Sequence, residues 1–175
     1  MTRAEPAVRL RPMRPAEYPA FIAASTSSYT HDMVVHGGVP PAAAERKSDE
    51  DHAAVLPDGL ATAGQWIHVV EAEGEPVGHL WVAERGTPER PTLYIYGVEI
   101  DEPHRGRGFG RAAMLLAEEE ARARGIGRIE LNVFGGNEVA RGLYRSLGYV
   151  ETAVQMGKDL APRPGPSRRA GARRR

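Results

Sequence analysis

The loop from Arg105 to Arg111 contains residues whose types and spacing favour the binding of an anion. Glycine occupies every second position of this loop, so a phosphate can approach the backbone closely. A strand-like run, 92–100, precedes the loop and a helix-like run, 109–124, follows it. This order exposes backbone N–H groups at a helix N-terminus, whose partial charge is positive. Because the arginines add full positive charges, the sequence predicts a phosphate-binding loop.

Other interpretations of this loop fit its residues less well. It lacks the Gly-Lys-Ser/Thr ending of a nucleoside-triphosphate loop. It also lacks the G-x-G-x-x-G spacing of a dinucleotide site that directly follows the first strand of a βαβ unit. The remaining alternative is a tight turn with solvated arginines, although such a turn needs only one or two glycines.

The pattern Arg-x-x-Gly-x-Gly, read from Arg105 through Gly108 to Gly110, closely resembles the pyrophosphate loop of the GNAT superfamily. This superfamily consists of acyl-CoA-dependent N-acyltransferases. The resemblance runs from about residue 93 to residue 160 and, more vaguely, back to residue 8. The loop and the downstream residues together are specific for this superfamily, whereas the loop alone would not be.

The downstream part of the resemblance is an asparagine followed by a tyrosine and a Leu-Gly-Tyr sequence. Asn137 begins a predicted helix, Tyr144 lies seven residues later, and 147–149 is Leu-Gly-Tyr. Seven residues make almost two helical turns, so both side chains point to the same side. Each also has a purely structural interpretation, as a helix N-cap for Asn137 and as a half-buried packing residue for Tyr144.

The resemblance implies that acetyl-CoA is the co-substrate and that it binds beside the strand before the loop. Gly97 interrupts this strand, which indicates a bulge or a close backbone approach. In the superfamily, the strand bulges beside the thioester and splays from its parallel neighbour, so that pantetheine lies between the two. The cofactor-binding residues implied here are Val98, Ile100, Arg105, Gly106, Arg107, Gly108, Phe109, Gly110, Arg111 and Asn137.

Two residues are the candidates for catalysis. An amine must lose a proton before it attacks, because a free alkyl ammonium has a pKa near ~10. Glu99, on the glycine-interrupted strand, is the candidate base, with an ordered water or a plain solvent-facing glutamate as the alternatives. Tyr144 is the candidate proton donor to the departing CoA thiolate.

The acceptor site implied by the resemblance borders two early helices and the loop between them. This placement makes Tyr29, His31 and Asp32 candidate substrate-binding residues, with His36 nearby, although a solvated helix connection is an equal alternative. The histidine spacings match no metal-ligand motif, so no metal is expected. His79 alternates within a strand and is predicted to be a sheet-face residue rather than a catalyst.

Composition restricts the chemistry further. The chain has 175 residues and 41% apolar residues, enough for one domain with a substantial core. With no cysteine, disulfides, thiolate metal sites and a cysteine-acyl intermediate are excluded. No apolar run approaches the ~20 residues that span a membrane, and no secretion signal is evident, so a cytoplasmic location is expected.

Charge is distributed unevenly along the chain. Residues 162–175 contain six arginines, three prolines and no acid, so we expect 1–161 to form a single domain and 162–175 a disordered tail. The remaining residues hold 17 basic and 23 acidic side chains, which favours a cationic acceptor. The tail is short and lacks interleaved aromatic residues, so nucleic-acid binding is not expected.

The predicted elements alternate between strands and helices. Strands are expected at 8–12, 66–70, 76–82, 92–100 and 128–134, and helices from 15, 41, 109 and 137, with irregular structure over 27–38. Residues 73–75 predict a tight hairpin, residues 86–91 a polar turn, and residues 149–160 a last strand or bent strand pair.

These elements predict an α/β (α+β) fold with a mixed sheet flanked by helices. An antiparallel meander leads into a central strand, and the crossover helix makes the next strand parallel to it. The expected function is acetyl transfer from acetyl-CoA to an amine, small or protein-borne, by direct attack in a ternary complex. The alternative is a non-catalytic acyl-CoA sensor or partner-binding module. A homodimer is compatible with the sequence.

Overall fold

The computed structural model describes residues 7–158 and residue 160. The tail predicted over 162–175 therefore lies outside the described residues. Within them the chain forms five strands and four α-helices: β1 (Val8–Pro12), α1 (Tyr18–Val35), α2 (Pro41–Val55), β2 (Gln65–Ala72), β3 (Glu75–Thr87), β4 (Arg90–Ile100), α3 (Phe109–Ala123), β5 (Ile129–Leu131) and α4 (Glu138–Ser146).

The strands form one sheet in the order β1-β2-β3-β4-β5. The first four strands are antiparallel, and β5 is parallel to β4. The mixed sheet and the parallel pair predicted from the sequence are thus confirmed. Glu73 and Gly74 join β2 to β3 with φ angles of 56° and 88°, the two positive values that a type I′ hairpin turn requires.

Two hydrophobic cores cover the two faces of the sheet. Leu80, Leu93 and the α3 residue Met114 are fully buried in the larger core. On the other face, Phe21 from α1 packs with Trp81 in a smaller core. Helix α3 therefore lies on one face, and α1 lies on the other face together with α2.

Met114 provides a test of the larger core. Its side chain has 0% exposure, so we expect Met114→Ala to lower the free energy of unfolding by about 2–5 kcal/mol through lost burial and the cavity that remains. Urea denaturation measures this change. Val139→Ala is the matched control, because a side chain that is 88% exposed should change stability by less than about 0.5 kcal/mol. Equal effects would contradict this account of the core.

The first helix is longer than the sequence indicated. Residues 27–35, predicted to be irregular, continue α1 to Val35. The serines, threonine and β-branched residues here have poor helix propensity, but tertiary packing overrides it. Met33, with 2% exposure, is one buried side chain on this part of the helix. The sequence also underestimated the β3–β4 hairpin, because both strands continue into the predicted turn and Thr87 pairs with Arg90.

Two predictions near the C-terminal end of the sheet were wrong. Strand β5 has three residues rather than the seven predicted over 128–134. The last strand predicted over 149–160 is not formed in the described residues of that range. A strand needs a hydrogen-bonded neighbour, and residues 150–158 have no such neighbour among the described residues.

Candidate active site

The N-terminus of α3 is open to an anion. Gly108 is its N-cap residue with φ 89°, and no side chain caps the helix. The N–H groups of Phe109, Gly110 and Arg111 occupy the first helical positions, where no carbonyl of the same helix can accept from them. Gly106 also has a positive φ, 73°, and open space where a side chain would stand. The loop therefore presents unpaired donors beside the positive end of the helix dipole.

The three arginines of the loop differ in the contacts that their side chains make. Arg105 donates from Nε to the backbone oxygen of Ile100 at 2.8 Å, so its guanidinium is fixed at the end of β4. Arg111 donates from Nη1 to the hydroxyl of Ser146 at 2.9 Å, which ties α3 to α4. Arg107 lies over the ring of Phe109, 4.8 Å from its centroid. All three guanidiniums thus keep other N–H groups for an anion.

Phe109 and Gly110 contribute through the backbone. The Phe109 side chain is 5% exposed and belongs to the larger core, so it offers only its N–H to a ligand. A Cβ at Gly110 would lie 3.7 Å from Ile100 and from Leu143. The small residue therefore lets β4, α3 and α4 meet closely around the loop.

Strands β4 and β5 separate beside this loop. They pair only through three residues, ending at Ile95 with Leu131. At this point β4 has a bulge: Trp81 of β3 pairs with Gly97 and Val82 pairs with Ile95, so Tyr96 has no partner. The bulge predicted at Gly97 is confirmed. Beyond it, the stretch that contains Val98 and Ile100 has β3 on one side and no strand of the described chain on the other.

Glu99 lies on this stretch of β4, which pairs with β3 but not with β5. Its carboxylate is 3.7 Å from the ring of His79, its cross-strand partner. Burial raises the pKa of Glu99, and the charges of Asp101 and Asp32 act in the same direction. A hydrogen bond with Ser28 and the charge of Arg105 oppose this shift of the Glu99 pKa.

His79 faces Glu99 as a neutral imidazole at neutral pH. Burial lowers the pKa of His79 to about 4. Its contact with Glu99 is therefore not an ion pair at physiological pH. The ring of Phe21 packs edge-on against His79, with centroids 4.9 Å apart. His79 thus lies beside Glu99 as an uncharged neighbour, on the sheet face where its alternation in sequence predicted it.

Helix α4 carries the second pair of predicted site residues. Asn137 caps α4, and its side-chain oxygen accepts from the N–H of Ala140 at 3.1 Å. This cap leaves the amide NH₂ of Asn137 to donate elsewhere. Tyr144 packs against the larger core, 5.9 Å from the ring of Tyr149. Burial raises the pKa of Tyr144, and the charge of Asp32 raises this pKa further.

Asp32 on α1 links the two parts of the site. Its charge influences both Glu99 and Tyr144, so the three groups share one region. His36 lies one turn later with its ring 3.8 Å from Asp32 and close to Gly136. The C-terminal part of α1 therefore meets the loop that leads into α4.

The other two predicted acceptor residues occupy different positions. The Tyr29 hydroxyl donates to Asp51 at 3.2 Å, and its ring lies 6.3 Å from that of Phe134. Burial raises the pKa of Tyr29, helped by the charge of Asp51. His31 is exposed and directly precedes Asp32, so it lies about 100° away around the helix. The charge of Asp32 thus acts on both Glu99 and Tyr144, and no such effect of the exposed His31 is seen.

Ser28 is a site residue that sequence reasoning missed. It precedes Asp32 by four residues, so the two share a helix face, and its hydroxyl acts to lower the pKa of Glu99. This spacing was the available signal, but it has meaning only once residues 27–35 are known to be helical.

The described part of the chain contains no group of three or more His, Asp or Glu side chains that could hold a metal ion. Among the helices of the same residues, none is long and apolar enough to cross a membrane.

Comparison with known proteins agrees with this geometry. The sequence profile of the Acetyltransferase (GNAT) family matches residues 30–149. An uncharacterised N-acetyltransferase of Bacillus subtilis strain 168, YycN, is 33% identical over 156 residues, which cover 87% of this chain and 99% of YycN. Mycothiol acetyltransferase of Beutenbergia cavernae is 36% identical over 89 residues, which cover 51% of this chain and 29% of that protein.

Solved structures show the same fold. The crystal structure of YycN from Bacillus subtilis superimposes with a TM-score of 0.84 at 30% identity, covering 89% of this chain and all of that one. AAC(6')-Iy, solved with the bisubstrate analogue CoA-S-monomethyl-acetylneamine, has a TM-score of 0.55 at 14% identity and shares the fold. The superposition covers 89% of this chain and 99% of the AAC(6')-Iy chain. The chain therefore belongs to the GNAT family of acetyltransferases and is an acyltransferase.

Proposed function

We propose that the chain transfers an acetyl group from acetyl-CoA directly to a cationic amine bound in the same complex. The observation that carries this proposal is the gap between β4 and β5, with the uncapped N-terminus of α3 at its end and Glu99 beside it. The family uses acetyl-CoA as co-substrate. Acetyl-CoA supplies an acetyl group that is activated as a thioester.

The residues present fit acetyl-CoA. Its pyrophosphate would accept from the N–H groups of 108–111 and from the guanidiniums of Arg105 and Arg107. The pantetheine would lie along β4 at Val98 and Ile100, where no strand of the described chain pairs on the β5 side. The amide of Asn137 would donate to it from the opposite wall.

Glu99 would remove the proton of the ammonium. Its raised pKa makes it a stronger base than an exposed glutamate. Once Glu99 has taken one proton of the ammonium, directly or through water, the neutral nitrogen would bond to the acetyl carbon as the carbon–sulfur bond breaks. The second proton that the nitrogen loses on becoming an amide would pass to solvent water.

Tyr144 would protonate the departing sulfur. Because burial raises its pKa above the ordinary value near ~10, the phenol is protonated at neutral pH, as a donor must be. The thiolate electron pair takes this proton, and the tyrosine recovers one from solvent before the next reaction. Atoms and charge balance without a covalent enzyme intermediate.

The acceptor would enter on the side of α1. Asp32 and Glu99 place two carboxylates in this region, which favours a substrate that arrives as an ammonium ion. The hydroxyl of Tyr29 already donates to Asp51. Tyr29 would therefore border the acceptor with its ring rather than bind it through the hydroxyl. Contact of His31 with the acceptor remains a prediction from the resemblance.

The test is acetyl-CoA-dependent acetylation across a panel of amines, followed by release of the CoA thiol. The chain has no cysteine, so a thiol-reactive dye detects CoA without background from the protein. Turnover that increases with amine concentration supports the proposal. CoA binding without turnover of any amine would instead support the sensor alternative.

Replacement of Glu99 tests its role as the base. We expect Glu99→Gln to retain near-normal activity near pH 10, where the amine is already neutral, and to lose progressively more as the pH falls. Above the raised pKa of Glu99, the parent rate should level off, whereas the variant rate should keep rising with pH. At pH 7 the loss should reach about 10²-fold. The measurement is kcat/KM as a function of pH.

Glu119→Gln is the control for this experiment, because Glu119 is an exposed glutamate on α3. Its pH–rate profile should overlay that of the parent. If the Glu99→Gln profile also overlays the parent's, an ordered water rather than Glu99 is the base.

A further inference from the structure

Aromatic side chains are concentrated on the face of the sheet that α1 and α2 cover. Trp81 of β3 stacks on Tyr96 of β4, with ring centroids 4.4 Å apart and planes inclined by 19°. The ring of Tyr94 meets that of Tyr96 edge-on at 4.9 Å. On the side of α1, Tyr29 lies 6.3 Å from Phe134, which follows β5. The side of the site where the acceptor would enter therefore has aromatic walls on β4 and on α1.

Most of these rings are only partly buried. Tyr29, Tyr94, Tyr96 and Phe134 each keep some exposure, whereas Trp81 behind them is 4% exposed. An aromatic ring that is held by its neighbours but still open on one side offers apolar area to a ligand at little cost in side-chain entropy. The walls can therefore contact the apolar body of an acceptor.

Gly97 leaves a space beside the stacked rings. It is the cross-strand partner of Trp81, so a side chain here would point to the same face of the sheet as Trp81. A Cβ at Gly97 would meet no atom within 4 Å. Glu99 lies two residues further along β4 and faces the same side. The space at Gly97 therefore adjoins both the stacked rings and the candidate base.

Arg85 places a positive charge at the far end of the β4 wall. Its guanidinium carbon lies 4.4 Å from the centroid of the Tyr94 ring and 5.1 Å from that of Tyr96. The ion pairs of the described residues do not include Arg85, and Glu130, which lies opposite Tyr94 on β5, is paired with Arg128. Stacking thus holds the guanidinium in place while its N–H groups stay available to an anion.

The strand register gives the separation of Arg85 and Glu99. Glu99 pairs with His79, and Tyr94, which lies beneath the guanidinium, pairs with Ala83. The interval from His79 to Ala83 along β3 spans about 13 Å. A hydrogen bond of about 3 Å at each end leaves ~7 Å between the charged groups of a ligand, the length of about five methylene groups. A ligand that reaches both residues is therefore extended.

We propose that the acceptor is an extended amino carboxylate, with its reacting amine at one end and its carboxylate at the other. The assignment of the amine end rests on the proposed acetyl transfer, because it places the ammonium between Glu99 and Asp32. The chain of the acceptor would pass through the space at Gly97 and against the stacked rings. The carboxylate would accept two hydrogen bonds from the guanidinium of Arg85.

Arg85 distinguishes this acceptor from other amines. A monoamine of the same length would leave the guanidinium without an anion and would lose the bidentate contact. A diamine would bring a second ammonium toward the guanidinium, and like charges repel. Carboxylates at the amine end and a guanidinium at the far end together match a zwitterion.

The first test compares three acceptors of similar chain length: ε-aminocaproate, hexylamine and hexamethylenediamine. We expect the kcat/KM of the parent to be about 10–100-fold higher for ε-aminocaproate than for hexylamine, the usual effect of a hydrogen bond to a charged group, and lowest for the diamine. Release of the CoA thiol measures each rate. Equal kcat/KM for all three would overturn the assignment of Arg85 and leave the proposed acetyl transfer standing. Absence of turnover with every one of them would overturn both.

Replacement of Arg85 tests its part in this preference. Arg85→Gln should lower kcat/KM for ε-aminocaproate by about 10–100-fold and leave that for hexylamine unchanged. Arg85→Glu should make the diamine the best of the three acceptors. Arg122→Gln is the control, because it removes an exposed positive charge from α3, on the other face of the sheet, and should alter none of the three values. An Arg85→Gln variant that keeps the preference of the parent, or that loses activity on all acceptors alike, would contradict the proposal.

Replacement of Gly97 tests the path of the acceptor chain. Gly97→Ala and Gly97→Leu place progressively larger groups in the space beside the stacked rings, and the φ of Gly97 is not among the positive values that would strain a side chain. Both variants should raise KM for ε-aminocaproate, leucine more than alanine, while calorimetry shows the CoA affinity of the parent. Thermal unfolding checks that each variant is folded, and Gly97→Ala decides if the leucine variant is not. An unchanged KM would mean that the acceptor does not pass Gly97, and weakened CoA binding would assign the space to the cofactor; either result would overturn the proposal.

Discussion

Gly108→Asp is expected to weaken CoA binding by about 10²–10³-fold. The substitution places a carboxylate at the N-cap of α3, beside the N–H groups that would bind the pyrophosphate. Two like charges about 4 Å apart near a protein surface repel by ~4 kcal/mol, and partial solvent screening reduces this to the stated range. Titration calorimetry with CoA measures the dissociation constant directly.

Gly125→Asp controls for the backbone cost of this change. Gly125 follows the other end of the same helix, has a φ of 73°, and has open space around its Cβ position. Both substitutions therefore force an aspartate into the left-handed region, which costs about 1–3 kcal/mol of stability. Only Gly108→Asp should also affect CoA. Unchanged CoA affinity in folded Gly108→Asp protein would remove the loop from the binding site.

The parts of the fold that were predictable from sequence are those fixed by local chemistry. The helix α3 begins at Phe109 as its pattern indicated, directly after Gly106 and Gly108, whose positive φ angles suit glycine. The bulge beside Gly97 was similarly evident, because an isolated glycine inside a strand weakens the regular ladder. In each of these places, local preference and tertiary structure agree.

The parts that were not predictable depend on distant contacts. Residues 27–35 became helical because α1 packs across the sheet, where Met33 is buried, and no local pattern shows this. The shortness of β5 reflects its divergence from β4, a property of the pair rather than of either sequence. Apolar and polar residues alternate over 149–160 as they would in a strand. The strand is absent because no described strand pairs with these residues.

The candidate site also contains residues that local sequence predicted and residues whose roles depend on distant contacts. Glu99 and Tyr144 were selected because their neighbours in sequence resemble a known motif. Ser28 was missed, because its effect on the pKa of Glu99 depends on how α1 lies against β4. The neutral state of His79 likewise results from burial by Phe21, which is far from it in sequence.

Tyr144→Phe is expected to lower kcat by about 10²–10⁴-fold while CoA affinity stays close to normal. The change keeps the ring and its packing against the larger core and removes only the hydroxyl. Burial raises the pKa of this hydroxyl, so the parent should keep its donor protonated through the neutral range and lose activity only above about pH 10. The measurements are kcat and the dissociation constant of CoA for both proteins.

Tyr149→Phe is the matched control, because it removes one hydroxyl from the neighbouring ring, 5.9 Å away. The Tyr149 hydroxyl is buried and has no hydrogen-bond partner among the described residues, so its loss should leave kcat unchanged and stability equal or slightly higher. Equal losses of kcat in the two variants would indicate that packing, not proton donation, is disturbed. Loss of CoA affinity in Tyr144→Phe with the fold intact would make Tyr144 a binding residue. An unchanged kcat would assign proton donation to water, because the Tyr144 hydroxyl would then contribute nothing to departure of the thiolate.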